Sequence, residues 1–222
     1  MRDVVEDLTG APTLYLQGAC GDLNPIRMEH NYEPARTLGV RLGCSVVDLW
    51  ERIAPEPAAG VATSHAMCDL PRYRYGSEDD ARELAVELNA QVVRLEASDG
   101  NAGSTWWAKL RRDRVTEAVT SWASGEAMEP VVAEVQALRV GDLALVSAPA
   151  EIFTENGVLV KRQSPAADTF FLAYTNGSIG YVPTRDAYPE GGYEVTHACQ
   201  VDPDAGDIIN EACLRVLADV AS

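Results

Sequence analysis

Leu14 to Pro25 reads LYLQGACGDLNP, an apolar run that stops abruptly in a loop of small and acid-bearing residues. Such a run bounded by glycine predicts a buried strand over Pro12 to Gln17, and with it a sheet that begins close to the start of the chain. Gly18, Ala19, Cys20 and Gly21 let backbone amides approach a neighbour or ligand closely. Asp22 and Asn24 add short polar groups, and Pro25 stiffens the exit. Turns of this composition also serve simply to reverse the chain.

Helix and strand patterns alternate along the rest of the sequence. Val4 to Leu8 closes a short helix. From Pro34 to Ile53, Leu38, Leu42, Val46, Trp50 and Ile53 recur at helical spacing between Pro34 and Pro55. Gly39 and Gly43 lie one turn apart on that helix and make room for another backbone. Val61 to Leu70 alternates as a strand, and PRYRYG follows as a loop. Ser77 and Asp80 form a capping box for a helix running to Leu95. SDGNAG breaks that helix, and a second, Thr105 to Ala123, turns back along it with Trp107, Leu110, Val115, Ala118 and Trp122 inward. Trp106 and Trp107 read as anchors of this helical pair in preference to the lining of a lipid groove. Val131 to Leu138 and Leu143 to Ser147 form a hairpin about Val140, Gly141 and Asp142. A helix over Phe153 to Arg162, a strand over Phe170 to Tyr174, and a final helix capped by Asp204 with Ile208, Ala212, Val216 and Val220 inward complete the pattern. The expectation is one α/β domain over residues 1–222, a mixed β-sheet flanked by helices, with no internal repeat and no linker.

Charge excludes some partners. The chain has 34 acidic and 18 basic residues and a formal charge of -16, which disfavours nucleic acid and anionic membrane surfaces. The first ten residues, MRDVVEDLTG, are charged along their length and do not read as a secretory signal. No run of about eighteen apolar residues marks a membrane span. The expectation is a soluble chain; compartment and oligomeric state are not written in it. Cys20, Cys44, Cys68, Cys199 and Cys213 are widely spaced and odd in number, and read as free thiols. Cys44 and Cys213 fall on apolar helix faces. Cys20 alone stands in the glycine loop, where a thiolate would act as a nucleophile if a base stood beside it.

Three further segments, SAPAEIFTENG at Ser147 to Gly157, YTNGSIGYVPTRDAY at Tyr174 to Tyr188, and EGGYEV at Glu190 to Val195, follow GACGDLNP in a specific order. In order and spacing the chain resembles the neutral/alkaline non-lysosomal ceramidases, and more closely the bacterial proteins that share their N-terminal catalytic domain. The resemblance runs from about Ala11 to the end and implies the C-terminal part of that domain. It implies a zinc-dependent hydrolase of N-acyl amides, N-acylsphingosine among them, and thus a place in sphingolipid metabolism. Zinc in the family is held by two histidines of the first half of the domain, then by a glutamate and a tyrosine that correspond to Glu151 and Tyr181. The two histidines stand well upstream of the GDxxP loop, and none precedes Ala11 here. His30, His65 and His197 lie in segments that do not match.

The resemblance gives Asn24 the nucleophile position, which is serine in ceramidases proper; an amide cannot do the work of that hydroxyl. Tyr193 corresponds to a tyrosine that stabilises the developing oxyanion. Asp22 orients a neighbouring group or caps the following turn, and Cys20 and Gly21 fall beside the substrate. On residue type alone, Glu151 is equally a carboxylate at a helix N-terminus, Tyr181 a packed tyrosine, His197 an exposed loop histidine, and Asp202, Asp204 and Asp207 helix caps. The implied partners are an N-acyl lipid or small amide and the missing N-terminal half of the domain. The competing expectation is a non-catalytic protein that keeps the fold and binds a ligand or partner in its cleft, and a third is an amidohydrolase using Cys20.

Overall fold

The computed structural model describes residues 1–26, 31–55, 57, 60–98 and 101–221. Four strands form the main sheet in the order β1-β2-β3-β5, with β1 Val61–Leu70, β2 Val131–Val140, β3 Leu143–Ser147 and β5 Asp168–Leu172. The first three run antiparallel, while β3 and β5 are parallel, so the sheet is mixed. The β2–β3 hairpin turns on Gly141 and Asp142, and Gly141 supplies the positive φ of 60° that the reversal needs.

One face of the sheet packs on α8, Ala205–Ala221. Alternate strand residues Ala133, Val135, Ala137, Ala144 and Val146 meet Ile209, Ala212, Cys213, Val216 and Leu217 in a dry core. The expected face of this helix was Ile208, Ala212, Val216 and Val220. Ile209, Cys213 and Leu217 are buried as well, because the helix lies flat between the sheet and α5, Thr154–Gln163. On the opposite face, Thr63, His65, Gln136, Leu138, Leu145 and Leu172 border an open depression of about 440 Å³.

The α3–α4 hairpin, Glu78–Ala97 and Ala102–Ser124, forms a second core of Tyr75, Ala81, Leu88, Val115 and Ala118. Its capping box is formed: the Asp80 N–H donates to Ser77 Oγ, and the Ser77 N–H to the Asp80 carboxylate. A third unit pairs α1, Arg2–Thr9, with α2, Glu33–Trp50. The glycines of α2 create this contact. A Cβ on Gly43 would stand 2.7 Å from the Val4 Cβ, and one on Gly39 would stand 3.0 Å from the Met1 nitrogen.

Four expectations need correction. Pro12 to Gln17 is not a buried strand: it runs extended outside β5, with Leu14 86% exposed. Its one rung to the sheet is the Ala173 N–H to the Gln17 carbonyl; Pro12 has no donor and the Thr13 N–H is taken by the Glu6 carboxylate. The apolar stripe of α2 is not core either, because Leu42, Leu49, Trp50 and Ile53 just beyond it remain exposed, and Cys44 with them. Trp106 and Trp107 do not anchor the helical pair but stand at least half exposed. Asp204 sends its carboxylate to Arg185, which also binds Asp207 at 2.7 Å, instead of capping α8.

Candidate active site

Two short strands build the centre. β4, Glu151–Ile152, and β6, Tyr181–Val182, pair in parallel with Glu151 directly opposite Tyr181. The approach to Glu151 is rigid. Carbonyls of Ala148, Pro149 and Ala150 accept N–H groups from Thr175, Ile179 and Tyr174, and the Glu151 N–H donates to the Gly180 carbonyl. Ile152 and Val182 are fully buried, so the register that brings residues 151 and 181 together is held by the core. Tyr174, at the C-terminal end of β5, has a φ of 54°, a left-handed conformation uncommon outside glycine. That turn brings a second phenol to the Glu151 carboxylate. Hydrogen bonding to Glu151, then burial, holds Tyr181 well above its ordinary pKa. Burial, then hydrogen bonds to Cys20 and Glu151, does the same for Tyr174.

The glycine loop docks against the same strands. The N–H groups of Cys20 and Gly21 both donate to the Ile152 carbonyl, at 3.1 and 2.9 Å. A Cβ on Gly21 would lie 2.5 Å from the Glu151 carbonyl oxygen, so this close approach requires glycine. Asp22 accepts from the Thr154 N–H at 2.7 Å and from its hydroxyl at 2.5 Å. It therefore caps the first turn of α5 from a distant part of the chain and ties the loop to the strand that carries Glu151. Cys20, Gly21, Asn24, Glu151, Tyr174, Tyr181 and Glu194 line one cavity of about 460 Å³. Asn24, Glu151 and Tyr181 thus share a cleft.

Tyr193, in the short helix α7 (Tyr193–Thr196), packs edge to face on Tyr181 with ring centres 6.0 Å apart. His197 stacks on Tyr193 at 5.7 Å and places Nε2 3.2 Å from the Arg111 guanidinium. Burial, then Arg111, lowers its pKa. Neither His197 nor His65, which faces the open side of the sheet, lines the cavity that holds Cys20, and His30 lies outside the described residues. Cys20 contacts the Tyr174 hydroxyl at 3.7 Å and has no histidine base beside it among the described residues. No cluster of three or more His, Cys, Asp or Glu able to hold a metal is found among the described residues.

Tyr174 and Glu194 were not singled out from the sequence. The available signal for Tyr174 was its place just past a strand that runs parallel to the one leading to Glu151, since ligand sites in α/β sheets gather beyond such strand ends.

No protein-family model matches the chain, and no curated protein sequence matches it. Solved structures do. Neutral ceramidase from Pseudomonas aeruginosa superposes with a TM-score of 0.58 over 96% of this chain, at 16% identity. A second structure, a ceramidase complexed with C2, aligns over 41% of this chain and 15% of its own length, at 25% identity and a TM-score of 0.38. The chain has the fold of part of a neutral ceramidase and spans 38% of that enzyme's length.

Proposed function

We propose that this chain carries the carboxylate-and-phenol part of a zinc-dependent amide-hydrolase centre of neutral ceramidase type, whose substrates are N-acyl amides such as N-acylsphingosine, and that it is inactive alone. The observation that carries this reading is the register pairing of Glu151 with Tyr181 beside Asn24 in one cleft. A hydrolytic zinc site takes three or four protein ligands and keeps an open position. Glu151 and Tyr181 supply two oxygens, and the described residues do not complete the cage. In this reading the two histidines of the family are supplied from outside the described residues.

The chain's own residues divide the remaining work. Tyr174 and Tyr181 stand in the same cavity as the Glu151 carboxylate and help to orient it. Asn24 offers an amide N–H to a substrate carbonyl and an amide oxygen to a substrate hydroxyl, but no nucleophile. Tyr193, packed on Tyr181, is the phenolic donor for negative charge developing on the carbonyl oxygen. Asp22 is a positioning residue that acts through Thr154.

Two donors bring roughly half of the ~10–16 kcal/mol of a complete zinc site, which corresponds to dissociation constants of about 1 µM or weaker. Calorimetric titration should therefore find weak zinc binding that Glu151→Gln abolishes. Hydrolysis of N-acetylsphingosine should appear only after addition of a polypeptide that supplies the two histidines. Tight stoichiometric zinc binding that survives Glu151→Gln would overturn the assignment. The incomplete donor set also favours a second reading, a non-catalytic protein that binds its ligand in this cleft. Ligand binding with no hydrolysis under any reconstitution is its signature.

A further inference from the structure

The α3–α4 hairpin closes its core without two of its largest side chains. Trp106 and Trp107 pack edge to face, 4.8 Å between centres, yet remain 56% and 50% exposed. Adjacent indoles left in water form a contiguous apolar surface of the kind that marks a binding region. With Leu110 one turn further on, they line a cavity of about 300 Å³ whose other walls include Glu151, Ile179, Tyr181 and Tyr193. Glu151 and Tyr181 also line the chamber of Asn24 and Glu194. The pair thus stands on the partition between a polar chamber and an aromatic one.

We infer that Trp106 and Trp107 are specificity-determining residues: they form a ledge that holds a linear apolar arm of the amide substrate and reads its length. This rests on the amide-hydrolase reading of Glu151 and Tyr181. An amide seated at that partition has two diverging substituents. The Glu194 carboxylate disfavours an anionic group on the polar side and suits a hydroxylated or cationic one. On the other side Trp106, Trp107, Leu110 and Ile179 offer apolar surface among the described residues, and the stem of Arg114 extends it. Because both indoles are exposed, truncating them leaves the hairpin core intact.

The test is calorimetric binding of N-acetyl-, N-hexanoyl- and N-decanoyl-ethanolamine to the full chain. Each methylene fully covered tightens binding about fourfold, so partial cover across the series should give at least about a tenfold gain from acetyl to hexanoyl. In Trp106→Ala/Trp107→Ala the dependence on length should vanish, and Trp106→Phe/Trp107→Phe should keep most of it. Circular dichroism checks that each variant is folded. An unchanged length dependence in the alanine pair, or none in the parent chain, overturns the inference. Zinc titration reports on the hydrolase reading separately. Length-dependent binding without zinc at Glu151 would keep the ledge and remove the chemistry; zinc binding with flat length dependence would remove the ledge alone.

Discussion

Gly21→Ala tests how the glycine loop is joined to the strand that carries Glu151. The added methyl would stand 2.5 Å from the Glu151 carbonyl oxygen, 2.9 Å from Phe153 Cδ1 and 3.1 Å from the Glu151 carbonyl carbon. Two of those atoms belong to backbone held by β4–β6 pairing, so they cannot swing aside as a flexible side chain would. The loop must lift instead. Lifting it stretches the two N–H bonds from Cys20 and Gly21 to Ile152, each worth about 0.5–1.5 kcal/mol, and overpacking adds about 1–3 kcal/mol. A net loss of roughly 2–6 kcal/mol follows, or roughly 4–24 °C in Tm for a chain of this size. Gly18→Ala is the internal control: its methyl would meet only the Phe171 carbonyl oxygen at 3.8 Å, an ordinary contact. Urea unfolding and differential scanning calorimetry of both variants measure the difference. If Gly21→Ala unfolds within error of Gly18→Ala, the loop does not depend on this close approach and the docking described above is wrong.

Asp22→Ala should cost about 0.5–2 kcal/mol in urea unfolding, while Asp22→Asn, which can still accept from the Thr154 N–H, should recover most of it; equal losses would point to a role of the charge itself. Alkaline titration offers a third check. Five of the eight tyrosines, Tyr73, Tyr75, Tyr174, Tyr181 and Tyr188, have raised pKa values, Tyr75 to about 12 through burial. Their phenols ionise more readily in the unfolded chain, so their contribution to stability is complete below about pH 10 and is lost as pH rises toward the folded values. Difference absorbance should show these five tyrosines titrating late, together with unfolding. Those five titrating at an ordinary pH in folded protein would contradict the burial and hydrogen bonding described above.

The order of the longer helices and strands from Glu33 onward was legible in the sequence because it rests on local chemistry. Ser77 and Asp80 cap a helix from within one turn, Gly141 permits a tight reversal, and the alternation from Val61 to Leu70 states which side chains face the core. Pairs of residues far apart in sequence were not legible on these grounds. Nothing local shows that Asp22 caps the helix at Thr154, or that Tyr174 turns toward Glu151. Apolar pattern misled where burial depends on which partners are present: Leu14, Trp50 and Trp107 have the composition of a core but lie at the surface.

The sequence by itself therefore determined most of the longer helices and strands and which residue types are available for chemistry, since both follow from short-range sterics and side-chain identity. Only the tertiary structure decided that Glu151 and Tyr181 stand in register, that the loop of Asn24 shares their cleft, and that two tryptophans line a second cavity bordered by the same two residues. Those juxtapositions depend on strand pairing and core packing between segments up to 157 residues apart in the numbering. The burial of Ile152 and Val182 fixes them, and no local preference encodes it.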